Sequence, residues 1–150
     1  MRLQFAEAAE QAFVFLSDQY GFHVAHTDPV FVRYQSGSAY INVFHRLKSY
    51  QVDLHLGRPE HDPAIELDFE LDEFTQLDAV AVDLPILIAR TPEKARSALA
   101  VIAEECRTYC RPALEGDAGI FERLQAQRIQ AAEQLSRAWE AQQDRPSSQR

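Results

Sequence analysis

The sequence predicts an α+β fold with helices mainly on one face of an antiparallel sheet. Three observations predict it. Apolar residues recur at helical spacing near the N-terminus, several β-branched and aromatic segments follow, and helical spacing then returns. The chain has 150 residues, 46% of them hydrophobic and 25% charged, which suits one globular domain. We expect a single α+β domain over residues 1–142 and a disordered tail over 143–150.

The first element is a predicted N-terminal helix over residues 3–20, where apolar side chains lie three and four apart before Gly21 ends the helix. An antiparallel meander of four to five strands should follow. FHVAHT, VFVRYQ, SAYINVFHR and YQVDLHLG are its first four strands, and turn residues separate them. If the last two of these pair Val43 with Leu54, then Ile41, Val43 and His45 face the core.

Residues 66–73, ELDFELDE, divide into two predicted elements. AIELDFE alternates polar and apolar residues, as a strand with one solvated face does. Helical spacing begins near Leu71, so the next two acids should be the N-cap and a first-turn residue of a short helix. The five acids of this stretch are, in order, Glu66, Asp68, Glu70, Asp72 and Glu73.

Two to three helices are expected in the C-terminal half. Residues 79–90 suit either a strand or a buried connector. Thr91 is the expected N-cap of a helix that reaches about Arg111, because proline and glutamate follow it. Asp117 should cap a long final helix over residues 118–142. An apolar stripe repeats every seven residues along that helix, through Phe121, Leu124, Arg128, Ala131, Leu135 and Ala138.

The charge is concentrated in one segment. The chain carries −8 overall, which argues against a direct nucleic-acid ligand because phosphate backbones need a basic surface. Residues 60–83 contain nine acids and no lysine or arginine. Two interpretations stay open: the solvated face of an edge strand, or a docking surface for a basic protein.

No spacing of residues predicts catalysis, so we expect a non-enzymatic protein without a cofactor. A straight row of carboxylates cannot converge on one metal ion, and the five histidines lack ligand spacing, so no metal is expected. Cys106 and Cys110 lie one turn apart on the apolar side of a predicted helix, which favours buried core thiols. With no apolar run of about 18 residues and no signal-peptide pattern, we expect a cytoplasmic protein with no membrane span.

The outer face of the central hairpin is the other candidate surface. Aromatic side chains, arginine and asparagine are enriched at binding surfaces. Either this face is exposed, or the long C-terminal helix packs across it. The hairpin residues that should point away from the core are Tyr40, Asn42, Phe44, Arg46, Gln51, Asp53 and His55.

Several segments, FLSDQYGF, VRYQS, YINVF, SYQVDLHLGR and ALEGDAGIFERL, resemble a loose group of small bacterial proteins. Some members of that group look like immunity proteins that neutralise polymorphic toxins. The resemblance extends to about residue 125 and rests on hydrophobic pattern and turn residues. It implies a protein-binding function and brings no catalytic motif.

Three functional hypotheses follow. The leading one is an immunity-type inhibitor that docks its acidic surface on the basic cleft of a toxin or nuclease. The second is a homo-oligomeric scaffold or adaptor, with a homodimer formed through residues 118–142. The third is a small-ligand protein or enzyme that uses Arg33, Asn42, Asp53 and His55 on the sheet.

Overall fold

The computed structural model describes residues 4–77, 82–117 and 119–144. Within these ranges the chain is α+β, with N-terminal helices, an antiparallel sheet and C-terminal helices, as predicted. The predicted tail falls largely on residues 145–150, outside the described residues, while helix continues through Gln143. The helices are α1 (Phe5–Ala12), α2 (Val14–Tyr20), α3 (Leu71–Leu77), α4 (Pro92–Tyr109), α5 (Arg111–Leu114) and α6 (Gly119–Gln143). The strands are β1 (His23–Asp28), β2 (Phe31–Gln35), β3 (Tyr40–His45), β4 (Gln51–Gly57), β5 (Asp68–Glu70) and β6 (Leu87–Ile88).

The sheet follows the predicted meander. Its order is β1-β2-β3-β4, and β5 and β6 pair with two different parts of β4's free edge. The predicted pairing of Val43 with Leu54 is confirmed, with Asn42 opposite His55 on the other face. Since side chains alternate along a strand, this register buries Ile41, Val43 and His45 against the helices.

The predicted single helix over residues 3–20 is wrong in one respect: it is broken at Phe13. Phe13 has φ −104° and ψ 18°, and separate helices lie on either side of it. Residues two apart in a straight helix point about 200° apart, so Phe13 and Phe15 could not both face one core. The break buries both rings, whose centroids lie 5.9 Å apart.

The predicted strand AIELDFE is also shorter than expected. A 3₁₀ turn occupies Pro63–Ile65, and the strand covers only Asp68–Glu70, so Glu66 lies outside it. Asp72 is not the N-cap, because α3 begins one residue earlier at Leu71. The carboxylate of Glu73 accepts the backbone N–H of Glu70 at 3.1 Å, which caps the start of the helix from within its first turn.

The C-terminal elements largely match the prediction. Thr91 caps α4, since its side chain accepts the N–H of Lys94 at 3.2 Å. Pro112 lies within the short helix α5, just beyond Arg111, where the helix from Thr91 was expected to end. The carboxylate of Asp117 accepts the N–H of Gly119 at 3.0 Å at the start of α6, and residue 118 is outside the described residues. Of the predicted segment 79–90, residues 79–81 lie outside the described residues; within 82–90, β6 covers Leu87–Ile88 and extends the sheet.

The core lies between the inner face of the sheet and the helices, chiefly α1 and α4. Helices α2, α3, α5 and the start of α6 add further buried side chains to it. Within the described part of the chain, no helix is both long and apolar enough to cross a membrane.

Candidate functional site

The five acids of residues 66–73 are not all unpaired, because arginines from distant elements bind two of them. Arg33 on β2 donates from both terminal nitrogens to Glu66, at 3.0 Å each. The side chain of Glu66 is only 11% exposed, and it also accepts the backbone N–H of Glu60 at 3.1 Å. The hydrogen bonds from Arg33 lower the pKa of Glu66 below its usual value. Glu66 therefore fastens a loop to the sheet.

Arg128 on α6 binds the second of these acids, Glu73. Its Nη2 and Nε donate to the two carboxylate oxygens at 2.7 and 3.0 Å. The same guanidinium donates to the carbonyl of Asp68 at 2.9 Å and lies over the ring of Phe69. Glu73 is thus tied to α6, and its carboxylate is mostly buried.

Asp68 and Glu70 lie on the same outer face of the sheet, on either side of His55. The ring nitrogens of His55 lie 3.3 Å from an Asp68 oxygen and 3.7 Å from a Glu70 oxygen. The ring of Phe44 meets His55 edge-on at 5.0 Å. Among the described residues, the Oδ1 atom of Asn42 and the Nε2 atom of His55 are buried without a hydrogen-bond partner.

Tyr40 does not lie on an exposed surface, so that part of the prediction is wrong. Its side chain points away from the helices, but the residue is 2% exposed because the segment after β4 folds over it. Arg33 packs on the ring at 4.0 Å. A side chain at Gly57 would collide with the Tyr40 hydroxyl and the Leu67 carbonyl, so this close approach requires glycine.

The remaining outer-face residues form an open groove. Phe31, Asn42, Phe44 and His55 border it, and all four are half-buried. The long helix does not cover them, because α6 packs against α3 and α5. Neither predicted alternative is therefore fully right: the loop carrying Glu66 covers one end of this face, and the rest is open.

A second depression lies where β4, β5, the start of α3 and the middle of α4 meet. Its volume is about 320 Å³, and we call it the acidic cleft. Arg46 is the basic residue on its rim, and it is already bound to Asp53 at 2.8 Å. The carboxylates that line the cleft are Asp53, Glu70, Asp72 and Glu105.

Glu105 is the carboxylate of the acidic cleft that was not singled out from the sequence. Burial raises the pKa of its carboxyl group, and the nearby charge of Asp72 raises it further. Its Oε1 atom is buried and has no hydrogen-bond partner among the described residues. A cation placed in the cleft would lower the electrostatic cost of ionising this group.

The cysteines and histidines do not form a reactive centre in the described ranges. Cys106 and Cys110 are thiols, fully buried as predicted. Burial, with the neighbouring Cys106, raises the pKa of Cys110 and so suppresses the thiolate that nucleophilic chemistry needs. Residues 4–77, 82–117 and 119–144 contain no group of three or more His, Cys, Asp or Glu side chains able to hold a metal ion.

The outer part of α6 is the remaining candidate surface. Ile120, Phe121 and Leu124 are buried at its start, whereas every residue from Ile129 to Asp144 is exposed. Leu135 is 73% exposed and Trp139 62% exposed. We call residues 129–143 the outer half of α6.

Comparisons with known proteins found no matching family model, and no curated protein or solved structure matched the chain.

The roles of three residues were not predicted from the sequence. Arg33 and Arg128 bind acids of residues 66–73, and Glu105 lines the acidic cleft. Arg33 precedes Glu66 by 33 residues, and Arg128 follows Glu73 by 55, so local charge counting could not pair them. Arg128 did carry a signal, since it interrupts an otherwise apolar stripe. A charge at such a position indicates an acidic partner on the facing element.

Proposed function

We propose that this chain is a non-enzymatic protein-binding protein that receives a basic partner at the acidic cleft. The observation that carries the proposal is that three acids of the cleft differ from their neighbours in having no arginine bound to them in the part of the chain that the structure describes. Glu66 and Glu73 are held by arginines, while Glu70, Asp72 and Glu105 lack such a partner among the described residues.

The cleft has the size and charge to take one side chain of a basic protein. A volume of about 320 Å³ accommodates a lysine or arginine side chain and lies at the lower end of the range for ligand pockets. A guanidinium inserted there would meet carboxylates from β5, α3 and α4. Charge-assisted hydrogen bonds of this kind are stronger than neutral ones. The partner's side chain would act as the anchor of the interface.

The resemblance to immunity proteins favours a basic toxin or nuclease as that partner. A nuclease cleft carries positive charge because it binds phosphate. An acidic surface attracts it over distance and then occludes it. The cytoplasm is the compartment we propose for this encounter.

The proposal is tested with the basic proteins encoded beside this chain's gene, each purified and titrated against it. The cleft variant combines Glu70→Gln, Asp72→Asn and Glu105→Gln. The control variant combines Glu10→Gln, Glu122→Gln and Glu140→Gln, three exposed residues away from the cleft with the same total charge change. Association rates are measured over a range of salt concentrations.

We expect the wild-type association rate to fall as salt rises, and the cleft variant to associate at least about tenfold more slowly at low salt. The control should lose less than about threefold, since its charges lie outside the contact. Equal losses in both variants would show that only net charge matters and would contradict an anchor in the cleft. A basic neighbour whose binding neither variant changes would contradict the proposal as well.

A further inference from the structure

The outer half of α6 continues the stripe that packs the inner half against the domain. At 100° per residue, Ala131, Leu135, Ala138 and Trp139 project within about 60° of the direction of Leu124. Leu124 is fully buried, yet the same face farther along is exposed. Most helical stability in proteins comes from packing an apolar face rather than from helix propensity, so this segment gains from a surface to pack on.

From this geometry we infer that the outer half of α6 pairs with the outer half of α6 of a second copy of this chain. The charges decide the kind of partner. Between residues 131 and 142 the charged residues are Glu133, Arg137 and Glu140, all on the side opposite Leu135. A charged partner would find no complement on the apolar face. An identical face brings no charge into the contact.

Side-chain size favours an antiparallel arrangement centred on Leu135. In that register Trp139 of one copy lies level with Ala131 of the other, and Ala132 lies level with Ala138. Large side chains then meet small ones, and the alanines let the helices approach closely. A parallel pair would place the two Trp139 rings together and leave the alanine layers underfilled.

The contact is small but sufficient for a reversible dimer. The outer half is about 22 Å long, and two such helices side by side bury on the order of 1,000 Å² in total. This is near the lower end for specific interfaces, so we expect a dissociation constant in the micromolar range. Trp139 lies about 16 Å along the helix from Arg128, which binds Glu73 next to the cleft residue Asp72. The Debye length at physiological salt is about 8 Å, so salt screens the charges of the cleft over that distance.

The test uses the full chain and its single tryptophan, Trp139. Sedimentation equilibrium should show concentration-dependent growth from 17.1 kDa towards twice that mass, and Trp139 emission should shift to shorter wavelength along the same curve. Leu135→Glu should raise the dissociation constant at least about tenfold. Arg137→Glu, on the opposite face, should change it less than about threefold.

Orientation is tested by mixing two variants that each carry one added cysteine on the helix surface, Ala132→Cys and Ala138→Cys, since the native Cys106 and Cys110 are buried. Oxidation should link one variant to the other faster than either to itself. Preferential linking of each variant to itself would contradict the antiparallel arrangement.

A monomer at all concentrations up to several hundred micromolar would overturn the inference, and so would a dimer that Leu135→Glu leaves intact. The salt dependence distinguishes dimerisation from binding at the acidic cleft, because an apolar contact does not weaken as salt rises whereas an electrostatic one does.

Discussion

The two halves of α6 carry one apolar stripe but differ in what it touches. In the inner half, Phe121 and Leu124 are buried, and Phe121 stacks on Phe69 of β5 at 6.2 Å. In the outer half, Leu135 and Trp139 continue the stripe in solvent. The comparison teaches that periodicity identifies the face a helix presents but not whether the same chain supplies the surface that covers it.

The acids of residues 66–73 divide in a similar way. Glu66 and Glu73 are bound by arginines and hold elements together, while Glu70 and Asp72 face solvent and the acidic cleft. Acids adjacent in sequence thus have different energetic roles. Matched substitutions, one at a residue that packs within the domain and one at a residue in solvent, measure how much each contributes to the free energy of unfolding.

The largest expected effect separates the two leucines of the α6 stripe. Leu124→Ala removes a fully buried side chain and should lower the free energy of unfolding by about 2–5 kcal/mol. Leu135→Ala, measured by urea denaturation at protein concentrations low enough to keep the chain monomeric, should change it by less than about 0.5 kcal/mol. Similar losses for both substitutions would mean that the outer half packs on its own domain.

The second largest difference in stability is expected between substitutions of two glutamates, Glu66 and Glu70. Glu66→Gln leaves the mostly buried Arg33 without its counter-charge and should cost about 2–3 kcal/mol in the free energy of unfolding. Glu70→Gln, at a side chain 60% exposed, should cost less than about 0.5 kcal/mol. Urea denaturation of both variants at neutral pH measures the difference.

The pH dependence of the Glu66→Gln effect follows from the sign of the pKa shift. Hydrogen bonds from Arg33 lower the pKa of Glu66 in the folded state below its usual 4.5. The stabilisation is therefore complete above pH 4.5 and is lost as the pH falls through the folded-state value. The stability gap between wild type and Glu66→Gln should narrow below pH 4.5. A gap that stays constant down to pH 2 would contradict a role for the ionised carboxylate.

Much of the fold could be predicted from the sequence because its signals are local. Alternation over residues 40–57 determined the register of Val43 with Leu54, since a slip by one residue would expose the core face. The break at Phe13 could not be predicted, because helical spacing is satisfied on both sides and only tertiary burial of two rings requires the turn.

The candidate site was less predictable because its main interactions join distant parts of the chain. Counting charges along residues 60–83 found no compensation, and the structure supplies it from β2 and α6. Asp68 and Glu70 were correctly placed on one face by strand alternation. Glu105 lies on α4, and its approach to Asp72 depends on how that helix packs, which no local pattern encodes.

The smallest difference in stability is expected between substitutions of two arginines of α6, Arg128 and Arg137. Arg128 binds Glu73 through two hydrogen bonds and also packs on Phe69, but its side chain is 43% exposed, so solvent weakens the pair. We expect Arg128→Gln to lower the free energy of unfolding by about 1 kcal/mol. Arg137→Gln, in the outer half, should change it by less than about 0.5 kcal/mol.

Combining Arg128→Gln with Glu73→Gln distinguishes a specific ion pair from general charge removal. If the two groups act through each other, the double variant should lose less than the sum of the single losses. Strict additivity would mean that Arg128 stabilises α6 through Phe69 and the Asp68 carbonyl alone. The boundary between the two halves of the helix would then be set by packing at Phe69, and Glu73 would contribute through the backbone N–H of Glu70 that it accepts.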